Sequence, residues 1–185
     1  KRSNKKIKYI KILEKVELVD GSRSISIDPS DNFEVDFQLN YQNKIIDKQR
    51  NFINFQKDDL NDVVEARTFC LYEDIEKIKK LGLAKGGSLD NAVVVQGDKV
   101  LNIEGLRNQK EFVNHKILDL AGDFILSGYR ILGKIECHQG GHELSNMFLR
   151  KLLKFTDNYS IIELESTIIS KKLNSEQAVK LAVNA

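Results

Sequence analysis

Apolar and polar residues alternate most regularly over positions 33–41, where the apolar set is Phe33, Val35, Phe37, Leu39 and Tyr41. Successive side chains of a strand point to opposite faces of its sheet, so this period of two predicts a half-buried strand. Three further strands are predicted in the first third of the chain: one through 10–18, one over 25–27 after the hairpin turn Asp20-Gly21, and one over 50–55. We therefore expect this third to be an antiparallel meander.

Helical spacing of apolar residues dominates after position 56. The first predicted element is a helix to about Arg67, capped by Asp58 or Asp59, and a helix over 73–81 that ends at Gly82 follows it. Next come a strand over 92–95 and a hairpin from Gly97-Asp98 into Val100-Leu101. The last three are a helix from Glu111 to about Ser127, a strand over 131–137 and a helix over 142–154. Beyond Phe155 the sequence is more polar, and Asn174 or Ser175 is a candidate cap for a last helix through Val183. This order predicts an α+β fold, a two-layer sandwich with helices on one face of a mixed, mainly antiparallel sheet.

The composition is that of an ordinary folded domain. The chain has 185 residues, of which 41% are hydrophobic and 30% charged, and its formal net charge is +2. So small a net charge gives no indication of nucleic-acid binding, and no apolar run approaches the roughly 18 residues of a membrane helix. No signal peptide is seen, and Cys70 and Cys137 have no motif spacing, so we expect reduced cysteines in a cytoplasmic protein without stable membrane insertion.

Basic residues are concentrated at the start of the chain, where the first eleven positions include Lys1, Arg2, Lys5, Lys6, Lys8 and Lys11. We expect a solvated terminus or the remnant of a linker. The alternative is an arm that binds a polyanion, which would make binding strongly dependent on salt.

The helix predicted from Glu111 carries His115, Asp119 and Asp123 at i, i+4 and i+8, which places all three on one arc of its surface. Lys116 borders that arc. An imidazole and a carboxylate one turn apart can hold the same zinc ion. The alternative is a solvated polar face, because the other side of the helix is apolar, with Val113, Ile117, Leu120, Ala121 and Phe124.

A second histidine follows two glycines, in Gly140-Gly141-His142, between a predicted strand and a predicted helix. Two glycines permit a tight turn and a close approach of the backbone to a ligand. The helix dipole disfavours a cationic imidazole at this end unless a carboxylate offsets it, and Asp123 is a candidate for that carboxylate. Asn146 stands where the zinc-protease motif H-E-x-x-H needs its second histidine, so that motif is rejected. The alternative is a loop histidine with no chemical role.

Several short motifs occur in one order along the chain. They are Ala66-Arg67-Thr68-Phe69, the stretch from Gly82 to Ala92, Val100-Leu101-Asn102, Gly105-Leu106-Arg107, Glu111-Phe112-Val113, His115-Lys116-Ile117-Leu118-Asp119 with Gly122-Asp123, and Gly140-Gly141-His142. Together they resemble UDP-3-O-acyl-N-acetylglucosamine deacetylase, the zinc amidase of lipid A biosynthesis. The resemblance runs from about Lys8 to Leu153 and covers only the C-terminal half of a two-domain family.

The resemblance implies a division of the chain. We expect a basic terminus or linker remnant over 1–7, the family's second domain over 8–155 and a polar extension over 156–185. The resemblance further implies a β-α-β insertion over about 70–100 that forms an apolar passage for the substrate's hydroxyacyl chain. Its candidate lining residues are Ile75, Ile78, Leu81, Leu83, Ala92 and Val94. Simple core packing is the alternative for each of them.

The resemblance also implies roles for residues near the predicted zinc ion. His115 and Asp119 correspond to two ligands of Zn²⁺, and the third ligand and a catalytic glutamate belong to the N-terminal domain, the expected partner of this chain. The implied catalytic residues are His142 as general acid for the leaving amine, Asp123 as its carboxylate and Thr68 as a hydroxyl for the oxyanion. The implied contacts with the UDP-linked acylated glucosamine are Lys116, Phe69 and Gly87.

One position departs from the family pattern. Gln139 stands where the family often has the lysine of a Lys-Ser-Gly-His sequence, which weakens any expectation of contacts with the nucleotide on this side. We expect the chain alone to be inactive, because the third ligand and the base are missing. A non-catalytic binding domain on the same sandwich is the alternative.

Overall fold

A computed structural model describes residues 6–82 and 84–164 of the chain. The strands are β1 (Ile7–Ile12), β2 (Val16–Asp20), β3 (Arg23–Asp28), β4 (Phe33–Asn40), β5 (Lys48–Asn54), β6 (Thr68–Leu71), β7 (Ala92–Gln96), β8 (Lys99–Val100), β9 (Arg130–His138) and β10 (Tyr159–Leu164). The α-helices are α1 (Asn61–Val64), α2 (Ile75–Lys80), α3 (Glu111–Ile125) and α4 (His142–Lys154), with single 3₁₀ turns at Tyr72–Asp74 and Thr156–Asn158. None of these helices is long and apolar enough to cross a membrane.

Strand β9 organises the larger sheet, which has seven strands. It pairs in parallel with β1 and β4 and antiparallel with β3. The hairpin predicted at Asp20-Gly21 is present as β2–β3, and β4 and β5 form a second antiparallel pair. The prediction of a simple antiparallel meander is therefore wrong. Strand β9, which begins 90 residues after β4 ends, lies between β3 and β4. Such non-local pairing leaves no local signal in the sequence of the first third.

Helices α3 and α4 cover one face of this sheet, which confirms the predicted two-layer sandwich. Phe124 of α3 stacks on Phe148 of α4 with ring centroids 6.0 Å apart. Where the sheet is most crowded, a Cβ on Gly133 would lie 2.8 Å from side-chain atoms of both Ile12 and Ile27. A side chain at that point would push β9 away from its neighbours, so the close packing requires glycine.

The predicted β-α-β insertion is present. Strands β6 and β7 pair in parallel, α2 connects them, and β8 adds an antiparallel edge, which gives a separate three-stranded sheet. Asn102 supports it from within: its side chain accepts a hydrogen bond from the Val94 amide and donates to the carbonyls of Leu89 and Ala92.

Two predicted boundaries differ from the structure. The helix expected from Asp58 or Asp59 to Arg67 has only four residues, because both aspartates are used in turns, where they accept hydrogen bonds from the amides of Asn54 and Asn61. The second domain also continues past 155, since β10 pairs antiparallel with β1. The sheet thus extends into the predicted polar extension.

Some predictions lie outside the described residues, among them the last helix through Val183 and the basic side chains Lys1, Arg2 and Lys5. The described basic residues of the same segment lie close to carboxylates. Nζ of Lys8 is 3.9 Å from Glu163, and Nζ of Lys11 is 2.9 Å from Asp31.

Candidate functional site

Helix α3 places His115 and Asp119 one turn apart, with 3.3 Å between Nε2 of the imidazole and Oδ1 of the carboxylate. The other ring nitrogen of His115, Nδ1, lies 3.3 Å from the carbonyl oxygen of Ala66. A carbonyl can only accept a hydrogen bond, so Nδ1 carries the proton and the neutral ring keeps its lone pair on Nε2. The pair therefore presents one nitrogen and one carboxylate, both of which are ligands for divalent metals.

The environment of His115 favours its neutral form. Burial is the largest influence and lowers the pKa of the imidazole; Asp119 and the Ala66 carbonyl oppose this, but the net shift is downward. A neutral imidazole is the form that binds metal ions.

His142 is the first residue of α4, as predicted, and it reaches back to α3. Its Nδ1 is 3.0 Å from both carboxylate oxygens of Asp123, and its Nε2 is 4.0 Å from Oδ2 of Asp119. An ionised carboxylate only accepts hydrogen bonds, so Nδ1 donates to Asp123 and Nε2 points away from it. The four side chains, His115, Asp119, Asp123 and His142, are called the His–Asp cluster below.

The turn before His142 is as tight as the two glycines predict. A Cβ at Gly140 would overlap the Sγ atom of Cys137 and touch the ring of Phe37. Burial raises the pKa of the Cys137 thiol to about 12, against a smaller opposite effect of a hydrogen bond from the Gly140 amide, so this sulfur is an uncharged packing group. Gln139 has a φ of 54° and binds the main chain of Asn40 through its side-chain oxygen and nitrogen.

Two of the three substrate contacts implied by the resemblance, Phe69 and Gly87, belong to the lining of an apolar cavity of about 440 Å³ within the insertion. Thr68, Phe69 and Gly87 line it, and the edge of the Phe69 ring faces His115 at a centroid distance of 6.3 Å. Nζ of Lys116 is 5.7 Å from the Phe69 ring and 3.3 Å from Asp119. The cavity and the His–Asp cluster are therefore neighbours.

Four of the six residues predicted to line a passage do line this cavity: Ile75, Ile78, Ala92 and Val94. Leu81 does not, because its side chain is exposed, and Leu83 lies outside the described residues. Gly87 is tightly placed, since a Cβ there would be 3.2 Å from the Ala84 carbonyl oxygen.

A buried ionic group near the site was missed by the sequence reasoning. The side chain of Arg67 is 3% exposed and that of Glu111 is 0% exposed, and Nε of the arginine donates to Oε1 of the carboxylate over 2.8 Å. Arg67 also binds Glu104 and the carbonyl of Gly105. Arg67, Gly105 and Glu111 each stand within a short motif, but nothing in the sequence pairs them, because the partners of Arg67 lie 37, 38 and 44 residues further along the chain.

Within residues 6–82 and 84–164, no group of three or more His, Cys, Asp or Glu side chains has the spacing to hold a metal ion. The described part of the chain therefore supplies two candidate metal ligands at this site, His115 and Asp119. An imidazole and a carboxylate that share an ion, beside a histidine with its own carboxylate, are typical of metal-dependent hydrolases.

Comparison with known proteins identifies the family of this chain. Residues 1–154 match the family model of UDP-3-O-acyl N-acetylglycosamine deacetylase, so the chain belongs to that family. Proteins named UDP-3-O-acyl-N-acetylglucosamine deacetylase are 40% identical over 159 residues in Campylobacter fetus and 38% identical over 167 residues in a Nitratiruptor species. These matches cover 85% and 90% of this chain but 54% and 55% of the relatives, so the chain spans about half their length.

Proposed function

We propose that this chain is the C-terminal half of a zinc-dependent deacetylase that removes the N-acetyl group from UDP-3-O-hydroxyacyl-N-acetylglucosamine in lipid A biosynthesis. Family membership supports the reaction. The observation that carries the proposal is the His–Asp cluster itself, in which a candidate ligand pair and a hydrogen-bonded histidine–aspartate pair lie side by side. The unpaired cysteines suit the cytoplasm, where we expect the reaction to take place.

His115 and Asp119 fit a zinc ion by the chemistry of their donor atoms. The Nε2 lone pair of His115 is available because the ring proton is on Nδ1, which donates to the Ala66 carbonyl. Asp119 adds a hard anionic oxygen. In the proposal a third ligand and a catalytic base come from the half of the relatives that this chain does not span. A zinc ion bound there would activate water and stabilise the negative charge that develops on the amide oxygen.

His142 is the proposed general acid. Amide cleavage expels a poor leaving group, so the departing nitrogen must receive a proton as the C–N bond breaks. Nδ1–H of His142 donates to Asp123, so Nε2 is the ring nitrogen that faces away from the carboxylate and would donate the proton. The side chain is 70% exposed in this chain, so a substrate can reach it.

The surroundings suit an acylated substrate. Thr68 is the proposed hydroxyl donor to the oxyanion, and Lys116 and Phe69 are proposed to contact the sugar next to the metal. The apolar cavity would take the hydroxyacyl chain, with Gly87 allowing the chain to pass close to the backbone. An alkyl chain gains about 0.8 kcal/mol for each methylene that it buries, so this cavity would contribute much of the affinity.

The experiment compares the 185-residue chain with the protein that includes the preceding half. We expect weak zinc binding by calorimetry and no detectable deacetylation for the chain alone, and chelator-sensitive deacetylation for the longer protein. Turnover by the chain alone would contradict the proposal, as would tight stoichiometric zinc binding by it. A longer protein that binds the substrate without hydrolysing it would favour the non-catalytic binding domain.

A further inference from the structure

Glu111 and His115 lie on successive turns of α3 and face the same peptide bond from the same helix. The amide of Arg67 donates to Oε1 of Glu111 over 3.2 Å, and Nδ1 of His115 lies 3.3 Å from the carbonyl oxygen of Ala66. Both groups belong to the Ala66–Arg67 peptide. In a trans peptide the C=O and the N–H point in opposite directions, so fixing one end fixes the other.

The Glu111 carboxylate is held in place from three directions. Oε1 accepts from Nε of Arg67, and Oε2 accepts from Nη2 of Arg67 over 3.2 Å and from the amide of Arg107 over 2.7 Å. The guanidinium is fixed in turn by the Gly105 carbonyl at 2.7 Å. Hydrogen bonds lower the pKa of Glu111 although burial acts in the opposite sense, so the group remains ionised.

We propose that Arg67 and Glu111 are positioning residues for the metal site: by holding the Ala66–Arg67 peptide they keep the Ala66 carbonyl on Nδ1 of His115 and so leave Nε2 free for a ligand bond. The same peptide leads directly into Thr68, the first residue of β6, so its orientation also affects the position of the Thr68 hydroxyl. The effect on the His115 tautomer follows from contacts within this chain, whereas the role of that tautomer in metal binding rests on the proposed function.

The decisive variant is the double substitution Arg67→Met/Glu111→Met. Replacing a whole buried ion pair by apolar residues is often neutral for stability, whereas removing one partner leaves an unpaired charge. The double variant should therefore fold cooperatively, yet it has no acceptor for the amide of residue 67. Asn114→Ala is the matched control, because Asn114 is similarly buried on α3 and its side-chain hydrogen bonds go to Asn51, Asn108 and the Asp62 carbonyl.

The first readout is the tautomer of His115 in the metal-free chain, from the ¹⁵N chemical shifts of its ring nitrogens above the titration of imidazole. We expect the Nδ1–H form to dominate in the wild type and in Asn114→Ala. In the double variant we expect the Nε2–H form to become a major species. Glu111→Gln, whose amide oxygen replaces only part of the carboxylate, should shift in the same direction by less. An unchanged tautomer in either folded variant would overturn the proposal.

The second readout is zinc affinity of the longer protein by competition with a chelator. Loss of groups that orient a metal ligand lowers affinity by about 10–100-fold, and we expect a loss of that size in the double variant but not in Asn114→Ala. Unchanged zinc affinity in a double variant with an altered tautomer would overturn the metal role of the pair. Failure of the wild type to bind zinc through His115 would instead contradict the proposed function and leave the tautomer result intact.

Discussion

The first turn of α3 and the three turns after it use charged residues in opposite ways. At the first turn, Glu111 and Arg67 are buried, and each oxygen of the carboxylate accepts more than one hydrogen bond. Further along, the side chains of the His–Asp cluster are exposed by between 14% and 70%, and both imidazoles are held through Nδ1. The buried ionic group and the more exposed cluster thus begin about 6 Å apart along the axis of α3.

The difference separates stability from chemistry. A buried charge must have all its partners, because an unpaired one costs several kcal/mol, so the Arg67–Glu111 pair has no lone pair to offer a substrate. A site that binds metal or moves a proton must keep such atoms free. The comparison therefore predicts that substitutions in the two groups affect different measurements.

The largest effect on folding is expected for Glu111→Ala. It leaves the Arg67 guanidinium buried without its carboxylate, and breaking a buried pair in this way costs about 3–5 kcal/mol. His142→Ala, at an exposed pair, should cost no more than about 1 kcal/mol. Urea denaturation of both variants measures the difference, and equal losses would remove the distinction between the two groups.

The largest effect on the reaction is expected for His142→Ala in the longer protein. Removal of a positioned proton donor lowers kcat by about 10²–10⁴-fold, and the zinc content should not change because His142 is assigned to proton transfer. Steady-state kinetics and metal analysis are read together. If the variant loses its zinc, His142 is a ligand; if kcat stays near the wild-type value, it is a loop histidine with no chemical role.

A smaller effect on folding is expected at the turn that presents His142. In Gly140→Ser the new Cβ meets the sulfur of Cys137, and overpacking of this kind costs about 1–3 kcal/mol. Cys137→Ala in the same chain removes the obstructing atom, so the double variant should recover most of the loss. Thermal unfolding of the two variants tests this, and a double variant no more stable than Gly140→Ser would show that the sulfur is not the obstruction.

The smallest effect is the loss of folding stability that we expect at acidic pH. The folded pKa of Glu111 lies below its unfolded value of about 4.3, so its stabilisation is complete above that pH and is lost as the pH falls towards the folded pKa. Wild type should therefore lose more stability than Glu111→Gln between neutral pH and about pH 3. Denaturant midpoints at several pH values give the comparison, and parallel losses in the two proteins would be the contrary result.

Local patterns predicted the elements that carry the site. Helix α4 begins at His142 and ends at Lys154 as its apolar spacing indicates, and the i, i+4, i+8 spacing on α3 does put its polar residues on one face. The contact of His142 with Asp123 was also expected, because the helix dipole disfavours a cationic imidazole at a helix start unless a carboxylate offsets it, and Asp123 was the candidate.

Non-local pairings could not be predicted in the same way. The place of β9 between β3 and β4 depends on pairing with strands far away in sequence. Strand β10, which contains Ile161, Ile162 and Leu164, was overlooked in a segment that is polar as a whole. The Arg67–Glu111 pair joins residues 44 positions apart. Periodicity reports which face of an element is buried and does not report what lies against it.

The most direct test is the zinc content of two variants of the longer protein, Asp119→Ala and Asp123→Ala. The two are purified in parallel and measured by atomic spectroscopy. Asp119 is the proposed metal ligand, because its oxygen lies beside Nε2 of His115, whereas Asp123 is the proposed partner of His142. We expect Asp119→Ala to contain far less than one zinc per protein, and Asp123→Ala to keep its zinc while losing activity. Equal loss of zinc from both variants, or full zinc in Asp119→Ala, would contradict the division of the His–Asp cluster into a metal pair and a proton-transfer pair.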